Sequence, residues 1–97
     1  MKQIITRFEA YLLTEKRVSP NTYSAYKHDL KQFHSFLQQN EIHHEQLDNT
    51  AIKSFLKYLH EQKQTPRSIS RKISALKSFF GWAHRTLGWE NIAIDFQ

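Results

Sequence analysis

The sequence contains no cysteine and only two glycines and two prolines among its 97 residues. Without cysteine there is no disulfide framework, no cysteine-ligated zinc and no thiol nucleophile, and a reducing compartment is the natural setting. So few glycines and prolines leave little turn chemistry for an all-β protein and favour long helices with short connections. No apolar run approaches the ~20 residues of a membrane span, and no signal peptide is evident. We therefore expect a cytoplasmic protein without a membrane partner.

Patterns that would indicate catalysis or metal binding are also missing. None of the six histidines belongs to a His-x-x-x-His pair with a neighbouring glutamate, which is the zincin arrangement. His43 and His44 fall in a predicted polar loop, where exposure to solvent is the expected state. No glycine-rich phosphate loop occurs, and the scattered carboxylates do not indicate a general acid/base pair. We expect no cofactor, no metal and no active site in this chain.

Apolar residues recur at intervals of three and four, which predicts four amphipathic helices. Ser19, Asp48 and Thr65 are expected to cap the second, third and fourth of them. In the second and fourth helices a proline follows the cap, a strong start signal because its missing N–H costs nothing at that position. Gly88 is expected to end the fourth helix. The predicted helical spans are 2–16, 20–39, 49–62 and 66–87, with a loop at 41–46.

These spans predict an all-α domain over residues 1–88, built as two helical hairpins. Residues 89–97 show no periodicity and are interpreted as the start of an interdomain linker. Phe79 and Trp82 lie beside the inward stripe of the fourth helix, so either could face a partner or another domain. Inward positions that predict core packing are occupied by Phe8, Phe33, Phe36, Phe55 and Phe80, and also by Tyr23 and Tyr26.

Positive charge is concentrated in one segment of the chain. Residues 62–89 hold six Lys or Arg and no Asp or Glu, whereas residues 1–61 hold eight and seven. A solubilising helix face usually mixes Glu with Lys. Short hydroxyl side chains, by contrast, let a helix approach a groove wall, while cations neutralise phosphates or bind guanine edges. This composition therefore favours a nucleic-acid face on the fourth helix.

Candidate DNA-binding residues come from that face and from a weaker one at the start of the second helix. A helix N-terminus also presents N–H groups to an anion. Within the set, most contacts are expected to be to phosphate, and Arg71 or Lys77 is the residue expected to contact a base. The candidates are Thr22, Lys27 and Lys31 of the second helix, and Arg67, Ser70, Arg71, Ser74, Lys77 and Ser78 of the fourth.

Two motifs resemble the N-terminal core-binding domain of tyrosine recombinases of the phage integrase family. The first is Ser19-Pro20-Asn21-Thr22 followed by Tyr26, Asp29, Leu30 and Phe33, and the second is the run 68–80, SISRKISALKSFF. With a matching first helix, the resemblance spans nearly all of the chain. It implies a SAM-like fold of two crossed helical hairpins that forms half of a C-shaped clamp. In such a clamp, the second and fourth helices face the major groove of duplex DNA.

The resemblance also implies the content of a longer protein. In this family a C-terminal domain carries the nucleophilic tyrosine, so the tyrosines of this chain are not expected to be catalytic. Met1 lies close to the first helix, which leaves no room for an arm-binding domain and favours the compact Xer type, which resolves chromosome dimers. The implied partners are a recombination half-site and further recombinase copies in a tetrameric synapse.

Two other classes of protein are also compatible with these residues. A helical interaction module could bind an acidic protein through the same basic face. A helix-turn-helix regulator needs a turn of three to four residues before its recognition helix. The segment 62–65 has that length but no glycine, and the long fourth helix fits crossed hairpins better.

Overall fold

The computed structural model describes residues 1–90 and residue 92; residues 91 and 93–97 of the predicted linker lie outside this described part. The prediction of a four-helix, all-α domain is confirmed, and the described residues include no strand. No described helix is both long enough and apolar enough to cross a bilayer. The helices are α1 (Lys2–Thr14), α2 (Pro20–Gln39), α3 (Asn49–Glu61) and α4 (Pro66–Leu87), with a short 3₁₀ helix at His44–Gln46.

Side-chain caps start α2, α3 and α4 at the predicted residues. Each cap accepts a hydrogen bond from a backbone N–H that has no partner inside its own helix. The accepting side chains are those of Ser19, Asp48 and Thr65, which bind the N–H groups of Thr22, Ala51 and Ser68 at 3.2, 3.0 and 3.2 Å.

Two local predictions are wrong. Helix α1 ends at Thr14, two residues before its predicted end. The chain leaves the helix through a turn in which Arg17 adopts a left-handed φ of 53° and the Val18 N–H donates to the Leu12 carbonyl at 3.1 Å. The predicted loop 41–46 contains the 3₁₀ helix His44–Gln46. That helix is held by the His43 side chain, whose Nδ1 accepts from a backbone N–H at 3.4 Å.

Helix α2 is central to the packing and lies against both α1 and α4. Phe33 of α2 makes edge contacts with Phe55 of α3 and Phe80 of α4, at ring-centroid distances of 5.0 and 6.1 Å. Such edge-to-face pairs add to the stabilisation from buried area. All five phenylalanines predicted to be inward are buried, and Tyr23 and Tyr26 are half-buried against the same core.

Phe79 and Trp82 are core residues, so the idea that they face a partner is wrong. Phe79 is fully buried and Trp82 is 4% exposed. Both contact Phe8 of α1, with ring centroids 5.4 and 5.5 Å apart. The buried stripe of α4 is wider than its own periodicity indicates, because α1 covers a second side of the helix.

Candidate nucleic-acid interface

A groove separates the N-terminal turns of α2 from the middle of α4. The predicted site residues Thr22, Arg71 and Ser74 meet in it, although Arg71 follows Thr22 by 49 positions in the sequence. Helix packing has therefore joined the two motifs at one surface. The groove is lined by Asn21, Thr22, Ala25, Tyr26, Arg71 and Ser74.

The α4 candidates share one solvent-facing side of the helix. Five of the six are exposed and Ser78 is half-buried. With about 100° of rotation per residue, Arg67, Arg71, Ser74 and Ser78 form a narrow stripe. Ser70 and Lys77 are seven residues apart, so they lie almost in line with one another beside this stripe.

Lys27 and Lys31 face away from the groove. They follow Thr22 by five and nine residues, which places them about 140° and 180° around α2 from it. There they line a separate cleft with Lys2 and Glu9 of α1. The structure therefore divides the predicted α2 candidates between two surfaces, and only Thr22 adjoins α4.

A buried carboxylate from α2 organises the middle of α4. Asp29 is 2% exposed. Its Oδ2 accepts a hydrogen bond from Arg71 Nε at 3.0 Å, and its Oδ1 accepts one from Arg71 Nη2 at 2.9 Å. The Nζ of Lys72 also donates to Oδ1, at 2.7 Å. Asp29 belonged to the sequence motif, but no local pattern indicated its partners 42 and 43 residues further along the chain.

This network changes the electrostatics of the basic segment. Lys72 is 2% exposed, so one of the six cations of residues 62–89 does not contribute a surface side chain. The hydrogen bonds to Asp29 raise the pKa of Arg71, which keeps its guanidinium charged. One carboxylate facing two cations leaves net positive charge, and the Arg71 side chain, 43% exposed, presents it to the groove.

Two cations outside the predicted set adjoin the α4 stripe. Lys16 donates from Nζ to Ser78 Oγ at 3.3 Å. Arg85 lies seven residues beyond Ser78 on the same side of α4 and donates to Tyr11 Oη at 3.3 Å. The spacing of Arg85 was visible in the sequence. The approach of Lys16 was not, because it depends on where the end of α1 packs.

A second polar cluster lies at the 3₁₀ helix. His43, His44 and Glu45 offer potential ligand atoms within 4.8 Å of one another. The two imidazole rings are stacked, with centroids 4.6 Å apart and planes 30° from parallel, and His43 Nδ1 already accepts a hydrogen bond from the Glu45 N–H at 3.4 Å. His44 also stacks on Trp89 at 5.7 Å. The His43 side chain thus stabilises the 3₁₀ turn, and the His44 ring packs against Trp89.

Comparison with known proteins places these features in a family. Residues 5–86 match the family model described as phage integrase, N-terminal SAM-like domain. The chain is 40% identical over 74 residues to the tyrosine recombinase XerC of Anoxybacillus flavithermus, a match covering 75% of this chain and 25% of that protein. It is 36% identical over 86 residues to the tyrosine recombinase XerD of Staphylococcus saprophyticus, covering 88% and 29%. No solved structure gives a significant match.

The matched region contains both motifs, the caps of α2 and α4, and the groove between them. The chain spans about a quarter to a third of the length of the curated relatives that it matches. The resemblance to tyrosine recombinases is thus confirmed for the part of those proteins that this chain represents. The chain belongs to the phage integrase N-terminal SAM-like domain family.

Proposed function

We propose that this domain binds duplex DNA as the N-terminal half of the clamp of a site-specific tyrosine recombinase. The observation that carries the proposal is the groove in which Arg71 and Ser74 of α4 meet Thr22 of α2. The names of the relatives support the same role, because they are tyrosine recombinases.

The exposed side of α4 has the composition that a DNA backbone requires. Its cations can neutralise phosphates, and its serines allow close approach, while an α-helix fits the major groove in width. Residues 62–89 contribute no carboxylate. Asp29, the carboxylate bonded to α4 cations, is buried beneath Arg71 and does not repel a phosphate at the surface.

The remaining functions are proposed for a longer recombinase. Strand exchange would use a catalytic tyrosine in a C-terminal domain, towards which residues 89–97 would lead as a linker. Four such recombinases would form the synapse on paired half-sites, acting on DNA in the cytoplasm. Chromosome dimer resolution is the reaction that we propose for it, since the relatives include XerC and XerD proteins.

Matched charge removals on two sides of the domain test the proposed face. Arg67→Gln with Lys77→Gln removes two charges from α4, and Lys27→Gln with Lys31→Gln removes two from the far side of α2. Fluorescence anisotropy with a labelled duplex, repeated over a range of salt, measures affinity for each. We expect the α4 pair to weaken binding and to reduce the slope of log K against log salt by about 0.9 for each phosphate that is no longer neutralised.

The α2 pair serves as the control and should change affinity and slope much less. Equal losses from both pairs would mean that binding follows overall charge, and the assigned face would be wrong. Absence of binding to any duplex at low salt would reject the DNA-binding function. An acidic protein partner would then be the better explanation of the basic face.

A further inference from the structure

The guanidinium of Arg71 has two edges, and Asp29 occupies only one of them. Asp29 accepts from Nε and from one N–H of Nη2. A guanidinium has five N–H donors in a fixed plane. No group in the described part of the chain accepts from the other three, which are two on Nη1 and one on Nη2. The outer edge therefore retains two parallel donors.

The orientation of this outer edge is fixed from beneath. The Asp29 side chain is 1% exposed and is itself held by Lys72, at 2.7 Å. Rotating the guanidinium would break two charge-assisted hydrogen bonds, which are stronger than neutral ones. Arg71 also lines the groove beside Thr22 and Ser74. Its free donors are thus held at the surface proposed to meet DNA.

We propose that Asp29 is a positioning residue that holds Arg71 ready to donate two parallel hydrogen bonds to a pair of acceptors on DNA. The inference rests on the proposed function and adds the atoms that make the contact. The acceptor pair is either O6 and N7 of one guanine or two oxygens of one phosphate. Because Asp29 immobilises a long side chain before binding, it removes an ordering cost that binding would otherwise bear.

The test needs variants that free Arg71 without unfolding the domain. Asp29→Asn alone would leave Lys72 buried without a counter-ion, so it is combined with Lys72→Met to give a neutral pair of similar size. Lys72→Met alone keeps the Asp29–Arg71 contact and is the control. Arg71→Gln removes the paired donors. Circular dichroism and thermal unfolding establish that each variant is folded.

The probes are duplexes modified at single acceptor atoms. The wild-type chain first selects a preferred duplex from a randomised pool. Copies of that duplex then carry 7-deazaguanine at each guanine in turn, which removes N7, or a methylphosphonate at each phosphate in turn. We expect one of these changes to weaken wild-type binding roughly tenfold, because it removes one of the two acceptors of a bidentate contact. The same change should weaken the binding of Arg71→Gln and of the neutral-pair variant only slightly, because these variants have already lost the contact. The comparison is a double-mutant cycle, which isolates the interaction between Arg71 and the modified acceptor.

The outcomes distinguish a base acceptor from a phosphate acceptor, and they distinguish failure of the role of Asp29 from failure of DNA binding. Sensitivity to 7-deazaguanine assigns a base contact, and sensitivity to methylphosphonate assigns a phosphate contact. If the neutral-pair variant remains as sensitive as wild type, or if no modification couples to Arg71, the role of Asp29 is overturned while DNA binding stands. If the wild-type chain binds no duplex at low salt, the proposed function fails and this inference fails with it.

Discussion

Arg71 and Lys72 are adjacent in the sequence but reach the same carboxylate from different sides. A step of about 100° around α4 turns Lys72 into the interior, at 2% exposure, and leaves Arg71 at the surface. Removing charges from water is costly, and a buried ammonium is tolerated only with a partner. Asp29 therefore stabilises Lys72 and orients Arg71 at once, so one residue links the core to the proposed interface.

For Asp29 we predict that Asp29→Asn lowers the free energy of unfolding by about 3–5 kcal/mol, because it leaves Lys72 buried without a counter-ion. Adding Lys72→Met should recover most of that loss. Urea denaturation at neutral pH measures both changes. Glu61→Gln, at an exposed position, is the matched control and should stay within about 0.5 kcal/mol. An Asp29→Asn variant as stable as this control would contradict the prediction.

Helix α4 is the element on which the core and the proposed DNA face depend together. One side packs against α1 and α2 through Phe79 and Phe80, and the opposite side carries the cations and serines. The start of the helix is determined locally by Thr65, which accepts from the Ser68 N–H, and by Pro66 at the first helical position. A weaker start would therefore affect both sides of α4.

For this element we predict that Thr65→Ala lowers the free energy of unfolding by about 1 kcal/mol, the usual cost of losing an N-cap. Thr65→Ser retains the hydroxyl and should lose only a fraction of that amount. Thermal unfolding followed by circular dichroism compares the two variants. Equal destabilisation by Ser and Ala would mean that the hydroxyl at residue 65 does not cap α4.

Across the whole molecule, Trp89 ties the end of α4 to the connection between α2 and α3. The backbone N–H of Trp89 donates to the Ala83 carbonyl at 3.4 Å, and the backbone carbonyl oxygen of Trp89 lies 2.7 Å from His84 Nδ1. The Trp89 ring stacks on His44 and lies edge-on to Phe79. The first residue of the proposed linker is thus packed against the domain.

The packing of His44 against Trp89 predicts that the stability of the domain depends on pH. Burial, aided by the nearby positive charges of the N-terminal amine and His43, lowers the pKa of His44. An unfolded histidine has a pKa of about 6.5, so below that pH the unfolded state binds more protons than the folded state. The free energy of unfolding should therefore fall as the pH is lowered from about 7 towards 5.

Urea denaturation at the two ends of that range measures the change, with His44→Gln as the comparison. The variant should lose less stability on acidification than wild type. It should not become independent of pH, since burial also lowers the pKa of His34. An unchanged pH dependence in His44→Gln would show that His44 does not contribute.

The number of helices, three of their N-cap residues and the exposed stripe of α4 could be predicted from the sequence, because periodicity and caps act within a few residues. The spacing of five residues between Thr22 and Lys27 also indicated that these two side chains lie on different sides of α2. The binding of Asp29 to Arg71 and Lys72, and the contact of Lys16 with Ser78, became visible only in the folded chain. The burial of Phe79 and Trp82 beneath α1 is likewise a feature of the folded chain. Those contacts join residues far apart in the chain, so they depend on how the helices pack.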